Sequence, residues 1–227
     1  MVRVTLGGAE LAGMPRPEPA ASVRLLLPTP GADVVVPAWN GNEFLLDDGT
    51  RPTIRTFTPR RLNLEALELD LDMVIHEGGI AAAWAEAAQP GKPAAISGPG
   101  RGYAIDAAAS EFLLAGDQAA IPAIAQLLEH LPSAMPVRVH IELAHPDARM
   151  ELPTHPRAST AWHELAPGEP PGRTLLAAVE AAQIGSDSMV WCAGEAAAMH
   201  RIRTHLFKER ELPRSQATVR GYWKMIR

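Results

Sequence analysis

The feature that most constrains this fold is a change of hydrophobic period half-way along the chain. In the first half the apolar residues form short runs: VRVTL (2–6), SVRLLLP (22–28), TIRTFT (53–58), LDLDMVI (69–75) and PAAIS (93–97). These runs are β-branched or aliphatic and are separated by Gly, Pro and Asp clusters, so they read as strands of an antiparallel barrel or sandwich. One alanine-rich stretch, GIAAAWAEAA (79–88), reads as a helix closed by Pro90-Gly91. From EFLLA (111–115) onward the period switches. Apolar residues at 121, 124, 125, 128 and 131 predict a helix, VRVHIEL (137–143) a strand, TLLAAVEAA (174–182) a helix, MVWCA (189–193) a buried strand and EAAAMHRIRTHLFKER (195–210) a helix. Strands alternating with helices predict a parallel α/β sheet. The expectation is two domains, 1–108 and 109–227, with the boundary near residues 107–110.

Composition narrows the class. The 227 residues are 47% hydrophobic and 21% charged, as in a folded globular protein. No apolar run approaches the roughly 20 residues that cross a bilayer, and the start, MVRVTLGGAE, lacks the apolar stretch of a signal peptide. Cys192 is the only cysteine, which rules out an intramolecular disulfide and points to a cytoplasmic setting. It sits in the apolar run MVWCAG and reads as core. The net charge of −5 is uneven: residues 200–227 carry +6, leaving −11 on the rest. That tail reads either as a solvated face or as a platform for an anionic ligand. Nucleic acid fits poorly, because the whole chain is acidic and offers only two tyrosines and four phenylalanines for stacking. The histidines do not cluster with cysteines or carboxylates at ligand spacing, so no metal site is expected.

RTFTPRR (55–61) surrounds a strand end with charge. Alternation puts Arg55 and Phe57 on one face and turns Thr58 to the other. An arginine clamps a diphosphate, an aromatic side chain packs against a flat ring, and a hydroxyl bonds to a redox-active ring nitrogen. Those are the three demands of a flavin dinucleotide. Downstream, DMVIHEGGIAAAWAEAA (72–88) runs from a strand through Gly78-Gly79 into a helix, a local anion site. In the second half, LLAGDQAAIP (113–122) places the turn Gly116-Asp117, followed by Gln118, where a dinucleotide-binding sheet holds its ligand.

Taken in order, RTFTPRR, DMVIH…GG…WA, SGPGRGY (97–103), LLAGDQAAIPAIAQLLEHLP, WCAGE (191–195) and GYWK (221–224) resemble the siderophore-interacting protein family over nearly the whole chain. These are FAD-dependent ferric-siderophore reductases of the ferredoxin–NADP reductase superfamily. The resemblance implies an N-terminal antiparallel β-barrel for FAD, lacking the family's usual first strand, and a C-terminal Rossmann-like α/β domain for NAD(P)H. It places FAD on Arg55, Thr56, Phe57, Thr58, Val74, His76, Gly78, Gly79 and Ala81. Thr58 would stand at the reactive ring nitrogen. Phe57 replaces the family's tyrosine, Ile80 its proline, and AAA (81–83) its hydroxyl residue; Trp84 matches. Gly116, Asp117, Gln118, Gly194 and Glu195 become contacts for NADH or NADPH. Arg220 and Lys224, four apart in the basic tail, become contacts for the anionic ferric siderophore, whether the segment is helical or extended. The implied activity is NAD(P)H-driven, FAD-dependent reduction of a ferric siderophore in the cytoplasm, releasing ferrous iron. The alternative is a flavoprotein electron carrier or chelate-binding module without NAD(P)H turnover of its own. A ferredoxin is an alternative electron donor.

Overall fold

The computed structural model describes residues 1–28 and 32–225. The chain divides into two compact units, Met1–Tyr103 and Ala104–Arg227. Arg227, counted in the basic tail, lies outside the described residues.

The first unit contains β1 (Val2–Gly7), β2 (Val23–Leu27), β3 (Ala38–Trp39), β4 (Phe44–Leu45), β5 (Thr53–Phe57), β6 (Pro59–Asn63), β7 (Glu68–Met73), α1 (Ile80–Ala87) and β8 (Ala95–Ile96). All its pairings are antiparallel. The expected barrel does not close. The strands form separate sheets in the orders β1-β7-β6 and β5-β2-β8, with β3-β4 as a small hairpin. The chain leaves one three-stranded sheet for the other at Thr58-Pro59, where proline has no N–H to continue a ladder. The register of β6 against β7 shifts at the same point. Alternation along β7 shows why the two sheets belong together. Leu69, Leu71 and Met73 point inward and join Val23, Leu25 and Leu27 of β2 in one core. Asp70 and Asp72 point outward and accept hydrogen bonds from Thr5 and Arg3, directly opposite on β1, at 2.7 Å each.

The second unit is a parallel sheet in the order β11-β10-β9-β12-β13. Its elements are β9 (Glu111–Asp117), α2 (Ile121–His130), β10 (Val137–Leu143), β11 (Ala158–Glu164), α3 (Arg173–Ala181), β12 (Ser188–Glu195), α4 (Ala196–Thr204) and β13 (Ala217–Trp223). Phe112 to Ala115 of the central β9 are fully buried, as expected where helices cover a sheet. Pro122 falls in the first turn of α2, where its missing N–H costs nothing. Helices α2, α3 and α4 make three of the four crossovers between successive strands. The fourth, from β10 to β11, has no helix: residues 144–157 form a strap with a single 3₁₀ turn at Pro146–Ala148. Both ends of the strap are tied. The Ala144 N–H donates to Gln118 Oε1 at 3.3 Å, and the buried His155 ring contacts the Pro132 carbonyl at 3.1 Å.

Candidate functional site

In the first unit, β5 pairs with β2 so that Leu25 lies opposite Arg55 and Val23 opposite Phe57. Opposed residues share a face. Arg55 therefore stands on the face whose β2 members are fully buried, yet it is itself exposed. Its guanidinium turns back to donate to the Ile54 carbonyl at 3.0 Å, and it has no ion pair among the described residues. An inward-face arginine on an edge strand, not neutralised by any carboxylate, is suited to an incoming anion. Phe57 is half-buried and packs on the core beneath, so its ring is held by the fold. Thr56 is exposed on the opposite face. Thr58 occupies the single-residue break between β5 and β6 and is buried at 8% exposure.

Val74 and His76 leave β7 towards α1. Gly78 has φ +73°, a left-handed conformation that suits glycine. Gly79 begins α1, and its free N–H groups receive no side-chain cap. A Cβ at Gly79 would come within 2.6 Å of His76 Nε2, so the imidazole lies directly over that glycine. His76 Nδ1 contacts the Glu77 carbonyl at 3.1 Å. Ala81 is half-buried and Trp84 packs on the core. The loop thus combines a glycine-tightened turn, an imidazole and an uncapped helix start, a donor set that fits a diphosphate. With the unpaired Arg55, these residues fit FAD.

The second unit treats its helix starts differently. Asp117 ends β9, and its carboxylate accepts from the Ala119 N–H (2.9 Å), the Glu195 N–H (2.8 Å) and the Trp223 indole (2.7 Å). Glu142 on β10 accepts from the Gly172, Thr174 and Leu175 N–H groups and from the Thr174 hydroxyl, covering the start of α3. Glu195 ends β12 and accepts from the Ala198 N–H at the start of α4 (2.9 Å). Three buried carboxylates thus stand at the carboxyl ends of three adjacent strands. Burial pushes the Asp117 carboxyl up to about 6, against the three donors that favour its charge and with the nearby Glu142 charge adding to the rise. Gly116 and Gly194 serve packing: a Cβ on Gly116 would meet Ala120 Cβ at 2.5 Å, and one on Gly194 would meet Asp117 Oδ2 at 2.6 Å. Of the expected nucleotide contacts, Gln118 alone is not fully buried.

The basic tail is less free than its sequence implies. Arg201, Arg203 and Arg210 donate to the carbonyls of Pro171, Val219 and Glu180, and Arg214 stacks on Phe207 at 5.1 Å. Arg220 lies within β13, opposite Ala193, so of the two geometries the extended one holds. Lys224 follows the strand end and is exposed. Cys192 is fully buried in β12, and burial pushes its thiol up to about 12, which leaves it inert. Among the described residues no group of three or more His, Cys, Asp and Glu could hold a metal ion, and no helix is long and apolar enough to cross a membrane.

Residues 1–103 match the siderophore-interacting FAD-binding domain, and residues 109–225 match the siderophore-interacting protein domain. The chain belongs to the siderophore-interacting protein family. It is 28% identical over 231 residues to the ferric vibriobactin reductase ViuB of Vibrio cholerae, covering 99% of this chain and 84% of that protein. An uncharacterised protein of Mycobacterium tuberculosis is 38% identical over 191 residues, covering 79% of this chain and 68% of the relative. A siderophore utilization protein from T. fusca superposes with a TM-score of 0.84 at 33% identity, over 98% of this chain and 86% of that one. The fold is therefore an FAD-binding domain followed by a parallel-sheet domain, as in the ferredoxin reductases. Sequence reading missed Glu142 and Trp223 as parts of the second unit's carboxylate network. Glu142 caps a helix that starts 30 residues later, so no local spacing betrays it. Asp117 and Glu195 do carry local signals, since each precedes a helical turn by one residue.

Proposed function

We propose that this member of the family is a flavin-dependent reductase that takes electrons from NADH or NADPH and delivers them to a ferric siderophore, releasing ferrous iron. The observation that carries the reading is Arg55: exposed, without an ion pair among the described residues, on the core face of an edge strand in the half that matches the FAD-binding domain. FAD, when bound, supplies the redox chemistry that couples a two-electron donor to a one-electron acceptor. The chain's own residues bind and orient. Arg55 holds the diphosphate by charge-assisted hydrogen bonds, the open start of α1 and Gly78-Gly79 give it backbone N–H groups, and Val74, His76 and Ala81 line its course. Phe57 limits the position of the ring. Thr56 borders the site, and Thr58, fixed between two strands, donates or accepts at the ring nitrogen. Arg220 and Lys224 meet the anionic iron chelate, and a lone buried thiol suits the reducing cytoplasm. The iron chemistry is favourable because hard oxygen donors hold iron(III) far more tightly than iron(II).

For the donor, Gln118 and the backbone beside Gly116 and Gly194 are the contacts that fit. Asp117 and Glu195 act indirectly by holding those turns. The test is anaerobic: purified protein loaded with FAD is mixed with NADH or NADPH and then with a ferric hydroxamate or catecholate, with an iron(II)-specific chromophoric chelator as readout. Flavin bleaching followed by iron(II) appearance is expected. Protein that binds FAD and is not bleached by either nucleotide would instead be the electron carrier of the alternative reading.

A further inference from the structure

The β3–β4 hairpin joins neither the β2–β7 core nor the core beneath α3 and α4. Trp39 and Phe44 pair across it with ring centres 4.9 Å apart, and both are exposed. Its turn holds the one asparagine–glycine pair of the chain, Asn40-Gly41. The Asn40 N–H donates to the Glu43 carbonyl at 3.1 Å, which closes the turn. The Asn40 side chain faces inward across the same turn. Its Oδ1 accepts from the Asn42 and Glu43 N–H groups, at 2.9 Å each. Gly41 has φ +100°, and a Cβ there would meet nothing within 4 Å. The Gly41 N–H makes no hydrogen bond among the described residues.

Two backbone donors on one amide oxygen draw electron density from the amide carbon. The same donors meet the oxyanion that forms when a nucleophile adds to that carbon, as in an oxyanion hole. The nucleophile next along the chain is the Gly41 nitrogen, and glycine leaves it unshielded. Asn63 supplies the comparison within the molecule. Its Oδ1 also accepts from two backbone N–H groups, those of Glu65 at 3.1 Å and Ala66 at 3.2 Å. The residue after it is Leu64, whose branched side chain crowds the attacking nitrogen. The two amides are polarised alike, and only Asn40 has an open nitrogen beside it.

We propose that Asn40-Gly41 is a site of self-modification by deamidation. The Gly41 nitrogen loses its proton to hydroxide and bonds to Asn40 Cγ. The Cγ–Nδ2 bond then breaks, and the nitrogen leaves as ammonia after taking a proton from water, which closes a cyclic imide. Water opens the imide at either carbonyl, giving aspartate or isoaspartate. One water is consumed and one ammonia released, and the reaction needs no flavin, nucleotide or iron. The aspartate keeps the turn, because a carboxylate accepts more strongly from the same two N–H groups. The isoaspartate lengthens the main chain by one carbon between Trp39 and Gly41 and undoes the pairing of Trp39 with Phe44. Either product adds negative charge to a segment in which Asp33, Glu43, Asp47 and Asp48 stand against Arg51 alone.

Incubation of the full chain in heavy-oxygen water tests it, followed by peptide mapping in the mass spectrometer and labelling by isoaspartyl methyltransferase. Native protein is expected to take up one labelled oxygen at residue 40, faster in mildly alkaline than in mildly acidic buffer. Asn40 should react at least roughly tenfold faster than Asn63. Asn40→Gln places the amide one methylene further out and should abolish the acidic species seen on isoelectric focusing. Because the hairpin lies outside both cores, this variant is expected to melt with the parent protein. A parallel incubation in urea separates the turn from the bare dipeptide. If Asn40 stays intact in native protein and reacts only when unfolded, the turn protects it and the proposal is overturned. Asn63 keeping pace with Asn40 in native protein, or the acidic species persisting in Asn40→Gln, overturns it as well.

Discussion

Helix α1 begins at Gly79 with no side chain on its free N–H groups, whereas α3 begins beneath the carboxylate of Glu142 and α4 beneath that of Glu195. The backbone presents the same unsatisfied donors at each start. At α3 and α4 the protein supplies the anion itself, and these helix starts are finished in the absence of any ligand. In the first unit the start is left open beside a left-handed glycine and an imidazole. An uncapped helix start costs about 1 kcal/mol relative to a capped one, and that cost makes sense where a bound phosphate group recovers it. The comparison separates a helix start that folds the sheet from one left open, as the proposed FAD site requires, although the two look alike as sequence: a glycine or an acid at a strand–helix turn.

Removing a supplied anion should be the most damaging change. Glu142→Ala would strand three backbone N–H groups and the Thr174 hydroxyl at the start of α3. Hydrogen bonds to charged groups contribute about 1.5–3 kcal/mol each and are not additive, so a loss of about 3 kcal/mol is expected. Urea unfolding of the apo-protein, with and without the substitution, measures it. A shift within experimental scatter would mean that water replaces the carboxylate, and the contrast between the units would collapse.

Next in size is the loss of a cation from the open site. Arg55→Ala should weaken FAD by about 1.5–3 kcal/mol, or roughly ten- to a hundredfold, by removing a charge-assisted partner. Flavin retained after gel filtration is the measurement. Because Arg55 is exposed and, among the described residues, its side chain bonds only to the adjacent carbonyl, apo-protein stability should hardly change. Retention equal to the parent protein would show that the diphosphate lies elsewhere.

A smaller effect tests the open start itself. Gly79→Asp and Gly79→Asn both offer a capping oxygen, and both crowd the His76 ring at 2.6 Å and the Ala82 Cβ at 3.1 Å equally. Each should stabilise apo-protein α1 by similar amounts. The aspartate should bind FAD several-fold more weakly than the asparagine, because charge at a helix start is worth about 0.3–1 kcal/mol and here it competes with the diphosphate. Equal affinity in the two variants would remove the helix start from the cofactor site.

How far the sequence disclosed this depends on the range of the interactions. The strands of the first half and the helices of the second follow from alternation and period, and the open Gly78-Gly79 turn was visible because glycine's conformational freedom is local. β11 was missed, and β13 was left open between helix and strand. STAWHE and ATVRGYW carry charge or glycine because they lie at the sheet edges, and half-exposed strands lose the apolar signature of β9. The barrel expectation failed where the chain passes from one sheet to the other at Thr58-Pro59, beside a register shift of β6 against β7. The basic tail looked like one surface because sequence counts charges without their partners, and backbone carbonyls take up Arg201, Arg203 and Arg210. The residues expected to hold FAD all lie within a stretch of some thirty residues, whereas the Glu142 cap depends on tertiary contacts.

An effect of similar size, on stability alone, concerns the proton on Asp117, the carboxylate that joins β9, β12 and β13. Burial raises its folded value to about 6, above the unfolded 3.8. An acid whose folded value is raised binds protons more tightly in the native state. Its contribution to stability is therefore fully present below about pH 4 and is lost as pH rises through 6. Asp117→Asn removes that titration, although it also gives up one of the carboxylate's two acceptor oxygens and should lower stability at every pH. Relative to the parent, the asparagine variant should thus be penalised more at pH 4.5 than at pH 7.5, because the parent alone gains stability on acidification. The expected difference between the two pH values is of order 1 kcal/mol, a few degrees in melting temperature for a chain of this size. Half-buried His140, paired with His163 at 2.9 Å and held below the usual imidazole range by burial, titrates nearby with the opposite sign. It is common to both proteins and cancels in the comparison. Parallel melting curves across that window would mean that Asp117 stays charged throughout, its three donors outweighing its burial.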